Sequence, residues 1–179
     1  MAHEETFEDI DAVFKTLNID VLHKVRYPEK EKRILDYVVK GGNDIALVKT
    51  ATRVSTGSSI FKELKRLANL VELSAVFIAE KLNNEDVVEG VIHMRERVGV
   101  IGYKTLRAIA HGEKVYVYEF KGMYYVKIDG KKLRNLRLKK GYRFSDLARA
   151  VGTSVKALQK YEEGVIDMSV EKACRFMEV

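Results

Sequence analysis

The side chains able to carry chemistry are mostly cations, and they gather at one end of the chain. Residues 130–179 contain 12 Lys and Arg against 6 Asp and Glu, while residues 1–129 hold 20 of each. The whole net charge of +6 therefore belongs to the C-terminal segment. An asymmetry of that kind points to a polyanionic partner, the plainer alternative being a solvated lysine-rich helix face. Other chemistries are poorly served. Cys174 is the single cysteine, so no internal disulfide forms. His3, His23, His93 and His111 are scattered, with neither zinc-ligand spacing nor a nucleophile motif beside any of them. Gly99-Val100-Ile101-Gly102 carries too little information for a dinucleotide fingerprint. No catalytic residue, metal or cofactor is expected.

The elements that must position these residues are legible in outline. With 179 residues, 46% of them apolar and 32% charged, the chain is a globular mixture sized for one mid-sized domain or two small ones. No run approaches the roughly 18 to 20 apolar residues of a membrane span. Met1 to Asp11 is acidic and lacks an apolar core, so no secretory signal is read and a cytoplasmic protein is expected. Phe7, Ile10, Val13, Phe14 and Leu17 recur every three or four residues, which predicts an amphipathic helix over Glu4–Leu17. Ile19–Arg26, Ile34–Val39, Ile45–Ala51, Ser74–Ala79 and Val88–Met94 read as strands. Ser58 or Ser59 caps a helix through Leu70, and Tyr103–Ala110 is a further short helix. Lys114–Phe120 and Met123–Ile128 form a hairpin turning at Lys121-Gly122. Residues 1–129 are thus expected to be an α/β domain with a mixed central sheet. Asp129-Gly130 breaks the strand pattern, and the chain then reads as helical to its end.

In that segment Lys131–Lys140 is a helix with Leu133 and Leu136 inward, and Lys131, Arg134, Arg137, Lys139 and Lys140 outward; Gly141 ends it. A second helix runs through Asp146–Val151 to Gly152. Ser154 caps a third over Val155–Glu163, stopped by Gly164, and Ser169 caps a fourth with Val170, Ala173, Cys174 and Met177 on one side. Two short helices meeting at a glycine turn make a helix-turn-helix. The string Leu133-Arg134, Leu136-Arg137, Gly141, Leu147-Ala148, Val151-Gly152-Thr153-Ser154, Leu158, Tyr161-Glu162, Gly164, Ser169 and Glu171 resembles the Cro/lambda-repressor (XRE) family over about 50 residues. The two-part arrangement is also similar to archaeal proteins described as helix-turn-helix regulators, whose N-terminal part resembles the restriction-endonuclease fold.

The resemblance implies an all-α domain over residues 130–179 whose third helix enters the major groove of duplex DNA. Val155, Lys156 and Lys160 then match base-reading positions, with Gln159 adjacent. Lys156 would donate to guanine O6 and N7, Gln159 would pair with adenine, and Val155 would touch a thymine methyl. Ser154 and the start of that helix would hold a phosphate, and Arg137, Lys140 and Arg143 would clamp neighbouring ones. Leu158 and Tyr161 are core. The match has departures. Arg143 stands where the family caps its second helix with Ser or Thr, and Phe144 where it has a phosphate-binding Gln. Ser145 is therefore expected to cap that helix two residues later, with Phe144 packed inward. Family members continue into a fifth helix, so beyond Val179 a longer protein, a partner subunit or the N-terminal domain is expected to complete the core.

The endonuclease resemblance implies a metal site built from an Asp and, on the next strand, a carboxylate two residues before a Lys. Asp36 and Lys49 match, but the middle position is Leu47, which cannot coordinate Mg²⁺. Glu63 is the one substitute in view, and a degenerate scaffold is the expectation. The reading is a non-enzymatic, sequence-specific regulator that binds double-stranded DNA as a homodimer, with half-sites about one helical turn apart. Its effector is unidentified. The alternatives are a metal-dependent nuclease targeted by the helix-turn-helix, and a module for non-specific DNA binding or protein contact.

Overall fold

The computed structural model describes residues 10–179, so Phe7 and the first turns of the expected N-terminal helix lie outside the described residues. The chain divides into two compact units, Met1–Val115 and Tyr116–Val179.

The first unit runs α1 (Ile10–Thr16), β1 (Ile19–Lys24), β2 (Tyr37–Gly41), β3 (Asp44–Val54), α2 (Ser59–Leu70), β4 (Ser74–Leu82), β5 (Glu85–Asp86), β6 (Val91–Arg95), β7 (Val98–Ile101) and α3 (Tyr103–Ala110). Its strands lie in the order β1-β2-β3-β4-β7-β6, with β5 on β4. The β3–β4 and β4–β7 pairs are parallel and the others antiparallel, a mixed sheet. Parallel neighbours need a crossover, and α2 supplies the one between β3 and β4. Ser58 starts α2, its Oγ accepting the Phe61 N–H at 3.2 Å.

Successive residues of the central strands enter different apolar clusters, which is why these strands read as continuous apolar runs. Leu47 and Phe77 pack with Phe61, Leu64 and Ala68 of α2. Val48 and Ile78 pack with Ile10, Val13 and Phe14 of α1 and with Tyr103 and Leu106 of α3. Strand β7 falls outside the sequence expectation: Val98–Ile101 are all buried, yet Gly99 within the strand and Gly102 just after it interrupt the apolar pattern. Strand β6 begins at Val91 rather than Val88, because Gly90 turns with φ +74° and donates its N–H to Thr105 Oγ1. No described helix is long and apolar enough to cross a membrane.

The second unit contains β8 (Val117–Phe120), β9 (Met123–Val126), α4 (Gly130–Lys139), α5 (Phe144–Ala150), α6 (Val155–Glu162), β10 (Met168–Ser169) and α7 (Val170–Met177). Lys121 and Gly122 both adopt positive φ, +53° and +77°, as a tight two-residue hairpin turn requires. Strand β10 pairs antiparallel with β9, Met168 opposite Val126 and Ser169 opposite Tyr125. This pairing corrects two expectations. The C-terminal unit is not all-α, and it starts at Tyr116 rather than at Gly130, because β10 draws the hairpin into it.

Leu147, Ala148, Val151 and Leu158 form its core, with Leu133, Tyr142, Phe144 and Phe176 packed against them. Helix α4 meets the end of α6 at Gly130, where a Cβ would lie 2.5 Å from the carbonyl oxygens of both Tyr161 and Glu162. Leu136 does not turn inward as expected. It is 56% exposed, and the inward positions of α4 are Leu133 and, one turn on, Arg137.

Candidate functional site

Helix α6 places its residues on two contrasting sides. Leu158, Tyr161 and Glu162 are buried. Ser154, Val155, Lys156, Gln159 and Lys160 are exposed. Lys156, Gln159 and Lys160 stand at i, i+3 and i+4 and so share a face. Neither lysine has an ion-pair partner among the described residues. Ser154 Oγ caps the helix by accepting the Ala157 N–H at 3.1 Å. Donor-rich side chains thus stand on a helix whose other side is anchored in a core, an arrangement with the dimensions and chemistry to meet base edges in a groove.

The residues expected to clamp phosphates divide. Arg143 and Lys140 are exposed. Lys140 Nζ donates to the Val179 carbonyl at 2.8 Å, and Arg143 starts α5 without a side-chain cap bond. Arg137 is withdrawn from that role. It is only 7% exposed, and its Nε and Nη2 donate to the two oxygens of Glu162 at 2.5 and 3.0 Å. Its Nη1 donates to the Tyr142 carbonyl at 3.1 Å, and its guanidinium lies 3.8 Å from the Phe144 ring centre. The bond to Glu162 raises its pKa above the usual arginine value. The fork is spent inside the unit, tying α4 to the last turn of α6. The expected Ser145 cap is also not formed: α5 begins at Phe144, and Ser145 Oγ reaches only Asp146 Oδ1 at 3.5 Å. Phe144 does pack inward. Glu162 was not singled out by sequence reasoning, since no local spacing links it to Arg137, 25 residues away.

In the first unit Asp36 and Lys49 do come together. Asp36 is 2% exposed, and its Oδ2 accepts the Thr50 N–H at 2.7 Å and the Thr50 hydroxyl at 2.9 Å. Its Oδ1 accepts Arg33 Nε at 2.6 Å and Lys49 Nζ at 3.3 Å. Burial pushes the carboxyl pKa up, but the bonds from Thr50 and Arg33 and the Lys49 charge outweigh it and hold the carboxyl below its usual range. Lys49 Nζ also donates to the Lys30 carbonyl at 2.5 Å, and burial lowers its pKa against the pull of Asp36. Leu47 lies in the apolar cluster under α2. Glu63 is exposed on α2 and does not line the cleft beside Lys49. Both Asp36 oxygens are engaged by protein donors, and the described residues hold no group of three His, Cys, Asp or Glu suited to a metal. This donor set does not fit a divalent ion. Arg33 and Thr50 are the partners that sequence reasoning missed.

Residues 3–115 match the PD-(D/E)XK superfamily domain, and the chain belongs to that superfamily. It is 36% identical, over 87% of its length, to a protein of Aeropyrum pernix named "Putative HTH-type transcriptional regulatory protein". Proteins of the same name from Thermococcus gammatolerans and Archaeoglobus fulgidus are 32% and 29% identical over 95% of the chain. The chain spans about half the length of these relatives, 48%, 54% and 55% respectively. No solved structure matches it.

Proposed function

We propose that the protein is a DNA-binding transcriptional regulator that reads duplex DNA with α6, and that its PD-(D/E)XK unit does not hydrolyse DNA. The observation that carries this reading is the two-sided α6, with Lys156, Gln159, Lys160 and Val155 exposed over a buried Leu158, Tyr161 and Glu162. Lys156 and Gln159 contact guanine and adenine edges, Val155 meets a thymine methyl, and Ser154, Lys140 and Arg143 hold phosphates that set the register. The names of the archaeal relatives support the same direction. One such unit makes too few base contacts to find a single genomic site, so the active species is a homodimer on a two-fold half-site pair of the XRE type.

Selection of bound duplexes from a random library at near-physiological salt tests this reading. An enriched two-fold motif with half-sites about one turn apart is expected. A library that stays flat replaces sequence reading with non-specific binding or protein contact. Light scattering at micromolar concentration, with and without the selected duplex, checks the dimer.

Superfamily membership and the retained Asp36–Lys49 pair favour one second reading, a nuclease guided by α6. It requires cleavage with Mg²⁺ or Mn²⁺ that disappears in Asp36→Ala. A purified protein that leaves a plasmid intact with either ion removes it.

A further inference from the structure

The hairpin β8–β9 has two unlike faces, because successive strand residues point to opposite sides. Its register sets Tyr118 opposite Tyr125 and Phe120 opposite Met123. The Lys127 N–H donates to the Tyr116 carbonyl at 3.0 Å and extends the same ladder by one pair. One face therefore carries Tyr116, Tyr118, Phe120, Met123, Tyr125 and Lys127. The other holds Glu119, which is buried, and Val126 with the buried Met168 of β10 beside it. No residue of the first face is buried, and Tyr116 and Met123 are 55% and 53% exposed. None of them belongs to the apolar clusters that fill the described cores. A contiguous aromatic surface left outside the core marks a binding face.

Its chemistry selects the occupant. The rings of Tyr118 and Tyr125 are stacked, with centroids 5.5 Å apart and planes 21° from parallel. Side chains two residues apart on a strand are separated by about 6.6 to 6.8 Å, roughly twice the spacing of stacked bases, so a base has room between Tyr116 and Tyr118. Lys121 Nζ stands 5.2 Å from the Phe120 ring centre, and neither it nor Lys127 has an ion-pair partner among the described residues. Asp167 is engaged, accepting the Tyr118 hydroxyl at 2.9 Å. Burial and that bond push the Tyr118 pKa up to about 12, so the ring carries no charge to repel a phosphate at neutral pH. Rings for bases beside lysines for phosphates are the make-up of a single-strand platform. A protein partner would have to cover the two lysines, a residue type depleted at protein interfaces.

We propose that this face binds single-stranded DNA, its bases stacked on the tyrosine rings and its phosphates beside Lys121 and Lys127. The choice of DNA over RNA rests on the duplex reading of α6 in the same unit; the stacking does not. No bond is made or broken.

Fluorescence anisotropy of the whole protein tests it with three labelled strands of about ten nucleotides: oligothymidine, oligouridine, and an abasic deoxyribose-phosphate strand. Oligothymidine should bind about tenfold or more tighter than the abasic strand, since stacking and not charge separates the two. Tyr116→Ala should weaken oligothymidine about fivefold or more, and Tyr116→Phe, which keeps the ring, should bind as the wild type does. Neither should change the affinity for a selected duplex. Lys121→Ala should flatten the logarithmic salt dependence of strand binding by about 0.7, the share of one phosphate. Lys156→Ala with Lys160→Ala should show the reverse pattern, losing the duplex while keeping the preference for oligothymidine over the abasic strand. A flat duplex selection therefore removes the reading of α6 and leaves the stacking face standing. Equal binding of oligothymidine and the abasic strand by the wild-type protein, a comparison that needs no substitution, overturns the proposal. Tighter binding of oligouridine overturns it in favour of RNA, and a dimer that becomes monomeric in Tyr116→Ala overturns it in favour of a second copy of the chain.

Discussion

Each unit buries an ion-pair network, and the two are built in opposite senses. Around Asp36 a carboxylate is the centre and the protein surrounds it with donors, Thr50 twice, Arg33 and Lys49. Around Arg137 a guanidinium is the centre, held by Glu162, the Tyr142 carbonyl and the face of Phe144. The first network lies next to a cleft, and its lysine still faces that cleft. The second lies between α4 and the last turn of α6. One engages both oxygens of its carboxylate with protein donors beside a cleft. The other is a strut that ties α4 to the end of α6. Burying a charge in either place is justified only by complete pairing, so each network should respond sharply when one member is removed.

The largest effect is expected at the strut. Arg137→Met leaves Glu162 buried and unpaired and should cost about 3 to 5 kcal/mol in urea unfolding, whereas Arg137→Met with Glu162→Leu should recover most of it. A loss below about 1 kcal/mol in the single variant would mean that Glu162 reaches solvent and that the comparison is wrong. Next in size, Lys156→Ala with Lys160→Ala should weaken binding to a selected duplex by about 2 to 5 kcal/mol, with little change in stability. Equal losses on selected and random DNA would show that these lysines hold phosphates only.

Gly130→Ala should cost about 1 to 3 kcal/mol, because its Cβ meets two backbone carbonyls that cannot swing aside. A wild-type melting temperature would show that α4 can slide on α6. The smallest effect concerns the other network. The Asp36 carboxyl titrates below its unfolded value of about 3.9, so its stabilisation is complete above that pH and is lost as pH falls through the folded value. Thermal melts should therefore decline below about pH 4 more gently in Asp36→Asn than in the wild type. Parallel acid limbs would mean that other carboxylates control the decline.

The sequence was informative wherever a signal was local. Ser58, Ser154 and Ser169 each accept a backbone N–H three residues on, as capping spacing predicts. The α3 boundaries, Tyr103 and Ala110, were equally plain. Asp36 and Lys49 meet because their strands are consecutive and antiparallel. What failed was non-local. Leu136 looks like an inward residue by spacing, but the packing partner of α4 is the end of α6, which selects Arg137 instead. Arg137 reads as a surface cation until Glu162 is placed beside it. Strand β10 is only two residues long and exists because β9 is there to pair with it, so nothing in Met168-Ser169 announces it.

That two-residue pairing has a kinetic consequence. Joining Met168 to Val126 closes a loop that encloses α4, α5 and α6, and closing a long loop must be paid for in chain entropy before the contact returns anything. Local helices alone form within microseconds, but a unit whose first and last segments must meet has a higher contact order and a slower, more cooperative approach to its native state. A nascent chain released before Met168 would carry α4, α5 and α6 without the staple that locks the ends of their unit together.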